Sequence, residues 1–251
     1  MSKIKVTNQI ISNVNWRGID ICPFSSSNQT DIWRIHIGSN LSHIQNFSSI
    51  IDENELLKAN KYYKVADRDR TLLSRIALRL ILGKYLNQDP KNLVLSVDHN
   101  NKPILSNPST NEIKFNISYA MDYIMIAISP LEVGIDIEYV NPNFEFKDIL
   151  NEYFTKKEIS YIEENNTVAR FFTAWTKKEG LAKAIGNGLF GPINQFPTLN
   201  GDTFLDSNIL NTQNNWIISS FYIADTHVGS LAILDNNLTI TFYDLDLSFF
   251  I

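Results

Sequence analysis

The chain has a single cysteine, Cys22, among its 251 residues. One cysteine excludes an intrachain disulfide, and with it a secreted disulfide scaffold and a zinc site built on cysteine ligands. Apolar runs are also short, and none approaches the ~18 residues that a membrane-spanning helix needs. Because the first residues lack the apolar run of a signal peptide, we expect a soluble protein of a reducing compartment, most simply the cytoplasm.

Positive charge is scarce as well. Lys and Arg number 22 against 27 Asp and Glu, which gives a formal net charge of −5. This balance excludes a protein that coats nucleic acid through its overall charge, although it allows a local basic patch. Hydrophobic residues make up 44% of the chain, which is enough for a buried core, and the length predicts one or two lobes.

Basic residues are concentrated in one predicted helical region, Glu53–Leu86. Its segment 58–84 has eight basic residues against two acidic ones. Such a segment is either a solvated helix face or a site for an anionic ligand. A continuous helix would turn Arg70 away from the face that carries the other basic side chains, so we expect a break near Lys64–Asp69, with Asp67 or Asp69 as the cap.

Downstream of this region, strand and helix patterns alternate. Strands are predicted at Leu93–Asp98, Ile113–Ser118, Tyr123–Ser129, Val133–Tyr139, Trp216–Asp225, Gly229–Leu234 and Leu238–Tyr243. Helices are predicted at Phe146–Tyr153, Lys156–Glu164 and Val168–Ile185. The order helix, hairpin, helix, hairpin predicts an α+β fold with two similar lobes, each a helix plus an antiparallel sheet. We expect the boundary near Pro130, which divides the chain into residues 1–130 and 131–251.

The first string that indicates chemistry is Gly-Ile-Asp-Ile-Glu at residues 134–138. Side chains alternate along a strand, so Asp136 and Glu138 share one face while Ile135 and Ile137 face the core. Two carboxylates on one face repel each other unless a cation lies between them, and oxygen ligands suit Mg²⁺ first. The alternative is an exposed strand face with two solvated acids.

The second string is Trp-Thr-Lys-Lys-Glu-Gly-Leu-Ala-Lys at residues 175–183. On a helix, Trp175, Glu179 and Lys183 are spaced by four residues and share a face. Glu179 could supply a third carboxylate to the same ion, and Lys183 could meet a phosphate. The alternative is an ordinary Glu–Lys pair on a helix surface, worth ~0.3–0.5 kcal/mol.

Together, these strings resemble those of the 4′-phosphopantetheinyl transferases of the two-lobed, surfactin-synthetase-activating type. The family shows Gly-Ile-Asp-Ile-Glu and, some forty residues later, Trp-Ser-x-Lys-Glu-Ala/Ser-x-x-Lys, where this chain has Thr176 and Gly180 at the two small positions. Further matches are Arg-Thr-Leu-Leu at 70–73, Asn-Lys-Pro at 101–103, Phe-Asn-Ile-Ser-Tyr at 115–119 and Tyr-Phe-Thr-Lys-Lys-Glu at 153–158. The resemblance implies transfer of the phosphopantetheine arm of coenzyme A to a carrier-protein serine, with release of adenosine 3′,5′-bisphosphate.

The resemblance also implies roles for individual residues. Asp136, Glu138 and Glu179 would hold Mg²⁺ against the coenzyme A pyrophosphate. Glu158 would take the proton of the carrier serine, and Lys183 would stabilise the leaving group; the catalytic set is thus Glu158, Lys183 and Glu179. The residues at coenzyme A would be Lys58, Lys61, Arg70, Thr71, Asn101, Lys102, Pro103, Ser118, Tyr119, Asp136, Lys178 and Lys183.

One position departs from the family. Tyr119 stands where the family usually has a histidine that reaches a coenzyme A phosphate. A tyrosine hydroxyl can donate one hydrogen bond but is uncharged at neutral pH. This substitution implies coenzyme A binding weaker by ~1–2 kcal/mol than with histidine.

Two alternatives of other classes stay open at this point. One is a catalytically silent module that binds coenzyme A or a carrier protein, and the other is a Mg²⁺-dependent phosphodiesterase that uses the same carboxylates. The sequence does not identify the acyl, peptidyl or aryl carrier, nor decide between Mg²⁺ and Mn²⁺. We expect a monomer that binds neither nucleic acid nor membrane.

Overall fold

The computed structural model describes residues 2–25, 27–98, 100, 102–106, 113–165, 167–186 and 191–251. Its strands are β1 (Lys3–Ile10), β2 (Trp16–Gly18), β3 (Gln29–His36), β4 (Leu95–Val97), β5 (Pro103–Leu105), β6 (Lys114–Ala120), β7 (Tyr123–Ser129), β8 (Val133–Tyr139), β9 (Gly201–Asp206), β10 (Trp216–Ile223), β11 (His227–Leu234) and β12 (Thr239–Asp244). Its α-helices are α1 (Ile37–Asn40), α2 (Glu53–Ala59), α3 (Val65–Leu86), α4 (Lys147–Tyr153), α5 (Lys156–Glu164), α6 (Thr167–Ile185) and α7 (Ser207–Leu210). The chain is therefore of mixed α+β class, as predicted.

Two five-stranded sheets organise the molecule. The first has the order β8-β11-β10-β1-β9 and the second the order β2-β12-β3-β7-β6. The chain passes from the second sheet to the first between β7 and β8. The sheets nevertheless exchange terminal strands, because β1 pairs with β10 in parallel and β12 pairs with β3 in parallel. The division at residue 130 stays a prediction, but neither sheet is confined to one half of the chain.

The packing forms four layers, with a helix outside each sheet. Between the sheets lies a core that includes Ile32 and Met125 from the second sheet and Ile135 and Leu231 from the first. Helix α3 packs its buried side chains on the outer face of the second sheet. Helix α6 does the same on the first sheet, beside Ile4 of β1. The face of β8 that carries Asp136 consequently lies towards α6.

Most of the predicted elements are present. The hairpin β6–β7 is antiparallel, with Phe115 opposite Ile128, and β10–β11 forms the second predicted hairpin. Strand β8 and helix α5 have the predicted bounds. No strand was predicted at β1, β2, β3, β5 or β9.

The predicted break in the first helical region is present, but its predicted cap is wrong. Helix α2 ends at Ala59, and α3 begins at Val65 after Lys64, whose side chain makes no capping bond. Asp67 lies inside the first turn of α3 and forms an ion pair with Arg70, with 2.8 Å between Nη2 and Oδ1. A capping aspartate must stand before the first helical residue, whereas Asp67 and Asp69 both lie inside α3.

No helix in the described ranges is both long and apolar enough to span a membrane.

Candidate active site

Strand β8 and helix α6 meet backbone to backbone at Gly134 and Gly180. A Cβ atom on Gly134 would lie 2.1 Å from the carbonyl oxygen of Gly180 and 2.3 Å from the amide nitrogen of Ala184. Because Gly134 has no side chain, the helix can lie unusually close to the strand. This approach brings Lys183 into hydrogen-bond contact with the carboxylate of Asp136.

Side chains of β6 join the edges of the two sheets beside this contact. The amide of Ile135 donates to Asn116 Oδ1 at 2.9 Å, and Ser118 Oγ donates to Asp136 Oδ1 at 2.9 Å. The Phe-Asn-Ile-Ser string thus fixes β6 against β8. Asn116 was not among the predicted site residues, although its position two residues before Ser118, on the same strand face, was a usable signal.

Asp136 is the centre of the cluster and is 4% exposed. Its Oδ1 accepts from Lys183 Nζ at 2.7 Å, and the same ammonium donates to Ser118 Oγ at 3.0 Å. Its Oδ2 is buried and has no hydrogen-bond partner among the described residues. A buried carboxylate oxygen without a partner is costly, so this oxygen is the atom that a cation would satisfy best.

Glu138 and Glu179 lie in the same electrostatic environment. Burial raises the pKa of Glu138 to about 7, with Asp136 and Glu179 adding to the shift and Lys183 opposing it. Burial raises the pKa of Glu179 to about 6, with Asp136 adding and Lys183 again opposing. The three carboxylates therefore repel one another, and the Lys183 ammonium offsets part of that repulsion.

This environment favours a cation, but it is not a formed metal cage. Within the ranges that the structure describes, no three His, Cys, Asp or Glu side chains are arranged to hold a metal ion. The donor set of carboxylate oxygens, with the unpartnered Asp136 Oδ2, nevertheless fits a hard divalent cation. The metal role of Asp136, Glu138 and Glu179 stays a prediction.

Glu158 is buried rather than exposed at the start of α5. It closes a capping box with Thr155, whose amide and hydroxyl both donate to Oε2 at 2.8 and 3.0 Å. Its Oε1 accepts from the amide and hydroxyl of Thr198 at 2.9 and 2.7 Å. Because both oxygens are occupied, Glu158 ties α5 to the segment around Thr198; its role as a base stays a prediction.

Lys178 completes this buried group. Its ammonium lies 3.5 Å from Glu158 Oε2 and donates to the carbonyl oxygens of Ile193 and Phe196 at 3.0 and 2.6 Å. Burial lowers the pKa of Lys178 to about 8, although Glu158 raises it. The side chain is fully buried and points at protein acceptors, so its predicted contact with a phosphate also stays a prediction.

Replacing Glu158 with glutamine should lower the free energy of unfolding by about 2–3 kcal/mol. A glutamine would direct its NH₂ group at the amide and hydroxyl donors of either Thr155 or Thr198, and donors cannot bond to one another. It also leaves the Lys178 ammonium without its carboxylate partner. The loss stays moderate because Lys178 keeps two carbonyl acceptors and can release its proton. Urea unfolding at pH 7 measures it. Glu163→Gln, on the exposed side of the same helix, is the control and should change the value by less than about 0.5 kcal/mol. Equal values for the two variants would contradict this account.

The predicted nucleotide-binding residues lie around a separate cleft between α2, α3 and β4–β5. This cleft has a volume of about 860 Å³, and Lys58, Lys61, Thr71 and Pro103 all line it. Arg75 lines it too, one turn after Thr71 on α3, and was not predicted. Its i,i+4 spacing from Thr71 was the available signal.

Lys102 lies outside this cleft. Its ammonium contacts Glu132 Oε2 at 3.2 Å and the carbonyl oxygens of Val133 and Ala184 at 3.4 and 3.3 Å. Lys102 thus links the start of β8 to the C-terminal turn of α6, and a contact with coenzyme A stays a prediction. Asn101 lies outside the described residues.

Tyr119 and Arg70 form a third group of predicted residues, outside both the cleft and the carboxylate cluster. The guanidinium carbon of Arg70 lies 4.3 Å from the centroid of the Tyr119 ring. Tyr119 follows Ser118 on β6, and Arg70 precedes Thr71 on α3. The structure therefore divides the predicted residues among a cleft that contains Lys58 and Lys61, a cation–π pair and an acidic cluster.

Comparisons with known proteins concern two adjacent parts of this chain. The model of the 4′-phosphopantetheinyl transferase superfamily matches residues 132–232, and the model described as 4′-phosphopantetheinyl transferase, N-terminal, matches residues 39–131. The boundary between the two matches lies close to the β7–β8 connection.

Curated relatives carry the same description. The 4′-phosphopantetheinyl transferase HetI of Nostoc sp. is 29% identical over 168 residues, which are 65% of this chain and 71% of HetI. The 4′-phosphopantetheinyl transferase gsp of Aneurinibacillus migulanus is 34% identical over 61% of this chain and 64% of its own length. The 4′-phosphopantetheinyl transferase Sfp of Bacillus subtilis is 28% identical over 66% of this chain and 74% of its own length. The chain thus spans roughly two thirds of these relatives, and slightly less of gsp.

Proposed function

We propose that this chain, which belongs to the 4′-phosphopantetheinyl transferase superfamily, transfers the phosphopantetheine arm of coenzyme A to a serine of a carrier protein. The serine oxygen forms a bond to the phosphorus that carries pantetheine. The bond from that phosphorus to the bridging pyrophosphate oxygen breaks, and adenosine 3′,5′-bisphosphate leaves. One observation supports this assignment above the others: Lys183 contacts Asp136 where α6 crosses β8, and the charges of Glu138 and Glu179 act on the same group.

A divalent cation, Mg²⁺ first, is part of the proposal. Asp136, Glu138 and Glu179 would hold it, and Asp136 Oδ2 is the buried oxygen with most to gain. When bound, the cation supplies charge neutralisation at the pyrophosphate. Lys183 would exchange its bond to Asp136 for one to a phosphate oxygen and would stabilise the negative charge on the leaving group.

The protein residues around the cluster orient the coenzyme. The cleft that contains Lys58, Lys61, Thr71 and Arg75, and also Asp52 and Glu55, would take the nucleotide end through its basic residues, because a phosphate dianion requires several donors. The pyrophosphate would then extend past Arg70 towards Lys183. Glu158 remains the proposed acceptor of the serine proton, and it would have to release a threonine donor to act.

The carrier protein and the cellular setting complete the proposal. We expect the carrier to dock beside α5, near the residues that lead to Glu158. A monomeric state and a cytoplasmic location stay predictions. The silent coenzyme A-binding or carrier-binding module is the less favoured alternative.

Intact-mass spectrometry of a panel of apo acyl, peptidyl and aryl carriers, incubated with coenzyme A and Mg²⁺, tests this function. A gain of one phosphopantetheine group on at least one carrier is the expected result, and chelation of Mg²⁺ should prevent it. The same carrier with its acceptor serine changed to alanine is the control. Binding of coenzyme A without any modified carrier would leave only the silent module.

A further inference from the structure

Tyr119 holds Arg70 by its ring. The guanidinium carbon of Arg70 lies 4.3 Å from the ring centroid, a distance at which the negative face of an aromatic ring attracts a cation. Tyr119 is 44% exposed, so water reaches one side of the pair. The pair is a contact between β6 and the first turns of α3.

Arg70 is restrained from a second side as well. Its Nη2 donates to Asp67 Oδ1 at 2.8 Å, and its Nε is buried without a hydrogen-bond partner among the described residues. The Asp67 carboxylate and the Tyr119 ring together fix the plane of the guanidinium. A fixed guanidinium loses less side-chain entropy when it binds an anion than a free one does.

Ser118 and Tyr119, which are adjacent on β6, face different parts of the molecule. Side chains alternate along a strand, so Ser118 faces Asp136 while Tyr119 faces α3. Ser118 contacts the carboxylate cluster, and Thr71, next to Arg70, lines the cleft that contains Lys58 and Lys61. Tyr119 and Arg70 are thus each next in sequence to a residue of one of the two sites that one coenzyme molecule would have to span.

We propose that Tyr119 is a positioning residue whose ring, rather than its hydroxyl, orients Arg70 to bind a phosphate of coenzyme A. This inference rests on the proposed function and goes further, because it assigns the local positive charge to Arg70 and not to residue 119. A tyrosine at this position then costs little affinity, since a guanidinium supplies the charge that a histidine would bring.

Calorimetric measurement of the coenzyme A Kd tests this proposal on the full chain. Tyr119→Phe keeps the ring and should stay within about twofold of the parent. Tyr119→Leu removes the ring and should weaken binding about 3- to 10-fold, with a smaller loss in high salt. Tyr222→Leu, a similarly exposed tyrosine on β10, is the matched control and should leave the Kd unchanged.

Two further variants test whether residue 119 acts through Arg70 or contacts coenzyme A directly. In an Arg70→Gln background, Tyr119→Leu should have no further effect, because the two side chains act as one unit. Tyr119→His should bind no more tightly than the parent, since an imidazolium beside a guanidinium repels it.

Three results would overturn the proposal. The first is an equal loss of coenzyme A affinity in Tyr119→Phe and Tyr119→Leu. The others are a full effect of Tyr119→Leu in the Arg70→Gln background, and tighter coenzyme A binding by Tyr119→His than by the parent. A parent protein that binds no coenzyme A would instead defeat the proposed function itself. Thermal unfolding of each variant identifies any that fails to fold, and Tyr119→Met then replaces Tyr119→Leu as the ring-free variant.

Discussion

Asp136→Asn should reduce the rate of phosphopantetheine transfer by at least about 10²-fold while the protein stays folded. Asparagine keeps the shape and can still accept from Ser118 and Lys183 through one oxygen. It replaces the other oxygen by an NH₂ group, or turns that group towards Lys183, and in either arrangement the charge that would bind a cation is gone. A metal contributes several kcal/mol to such a reaction, and each 1.36 kcal/mol corresponds to a factor of ten in rate.

Two measurements check this expectation. The first is kcat from intact-mass time courses at saturating coenzyme A and carrier. The second is Mn²⁺ binding followed by electron paramagnetic resonance, with Mn²⁺ as the probe, because it accepts the same oxygen ligands. Asp235→Asn is the control, since Asp235 pairs with Lys5 at 3.5 Å and not with the cluster. Full transfer and unchanged Mn²⁺ binding by Asp136→Asn would remove the metal assignment.

The carboxylate cluster illustrates what the sequence could predict. The period-two alternation of β8 placed Asp136 and Glu138 on one face, and their neighbours Ile135 and Ile137 are buried on the other. The four-residue spacing on α6 joined Glu179 to Lys183. Local periodicity therefore predicted each half of the cluster, and the resemblance to a family predicted that the halves meet.

Other features depended on tertiary contacts that no local pattern encodes. Strand β1 alternates apolar and polar residues, yet nothing in that pattern says that it pairs with β10, more than two hundred residues away. The burial of Glu158 could not be predicted, because its partner Thr198 lies forty residues downstream. Lys178 likewise has its acceptors beyond the end of its own helix.

The approach of α6 to β8 was missed for a different reason. A glycine within a strand pattern signals a close contact, but the pattern does not say which element approaches Gly134. A methyl group at position 134 would lie 2.1 Å from the carbonyl oxygen of Gly180. The glycine of this string therefore leaves space for the backbone of helix α6.

Gly134→Ala should lower the free energy of unfolding by more than about 3 kcal/mol. The new methyl group would meet the backbone atoms of Gly180 and Ala184 at 2.1 and 2.3 Å, and backbone atoms cannot rotate away as a side chain can. Overpacking of a core against side chains typically costs 1–3 kcal/mol, and this contact is the more severe case. Helix α6 must therefore shift outwards, which also separates Lys183 from Asp136. Transfer should be lost even in the folded fraction.

Gly180→Ala is the matched control, because it adds the same methyl group on the α6 side, where the new Cβ faces β11 instead of β8. Its Cβ would lie 3.0 Å from the carbonyl oxygen of Ser230, so a shift of a few tenths of an ångström suffices. An alanine within a helix is about 1 kcal/mol more favourable than a glycine, and the two effects should leave stability within about 1 kcal/mol of the parent. Urea unfolding of both variants tests the contrast. Equal stabilities would mean that β8 and α6 have room to spare, and the close approach would then not be what holds Lys183 over Asp136.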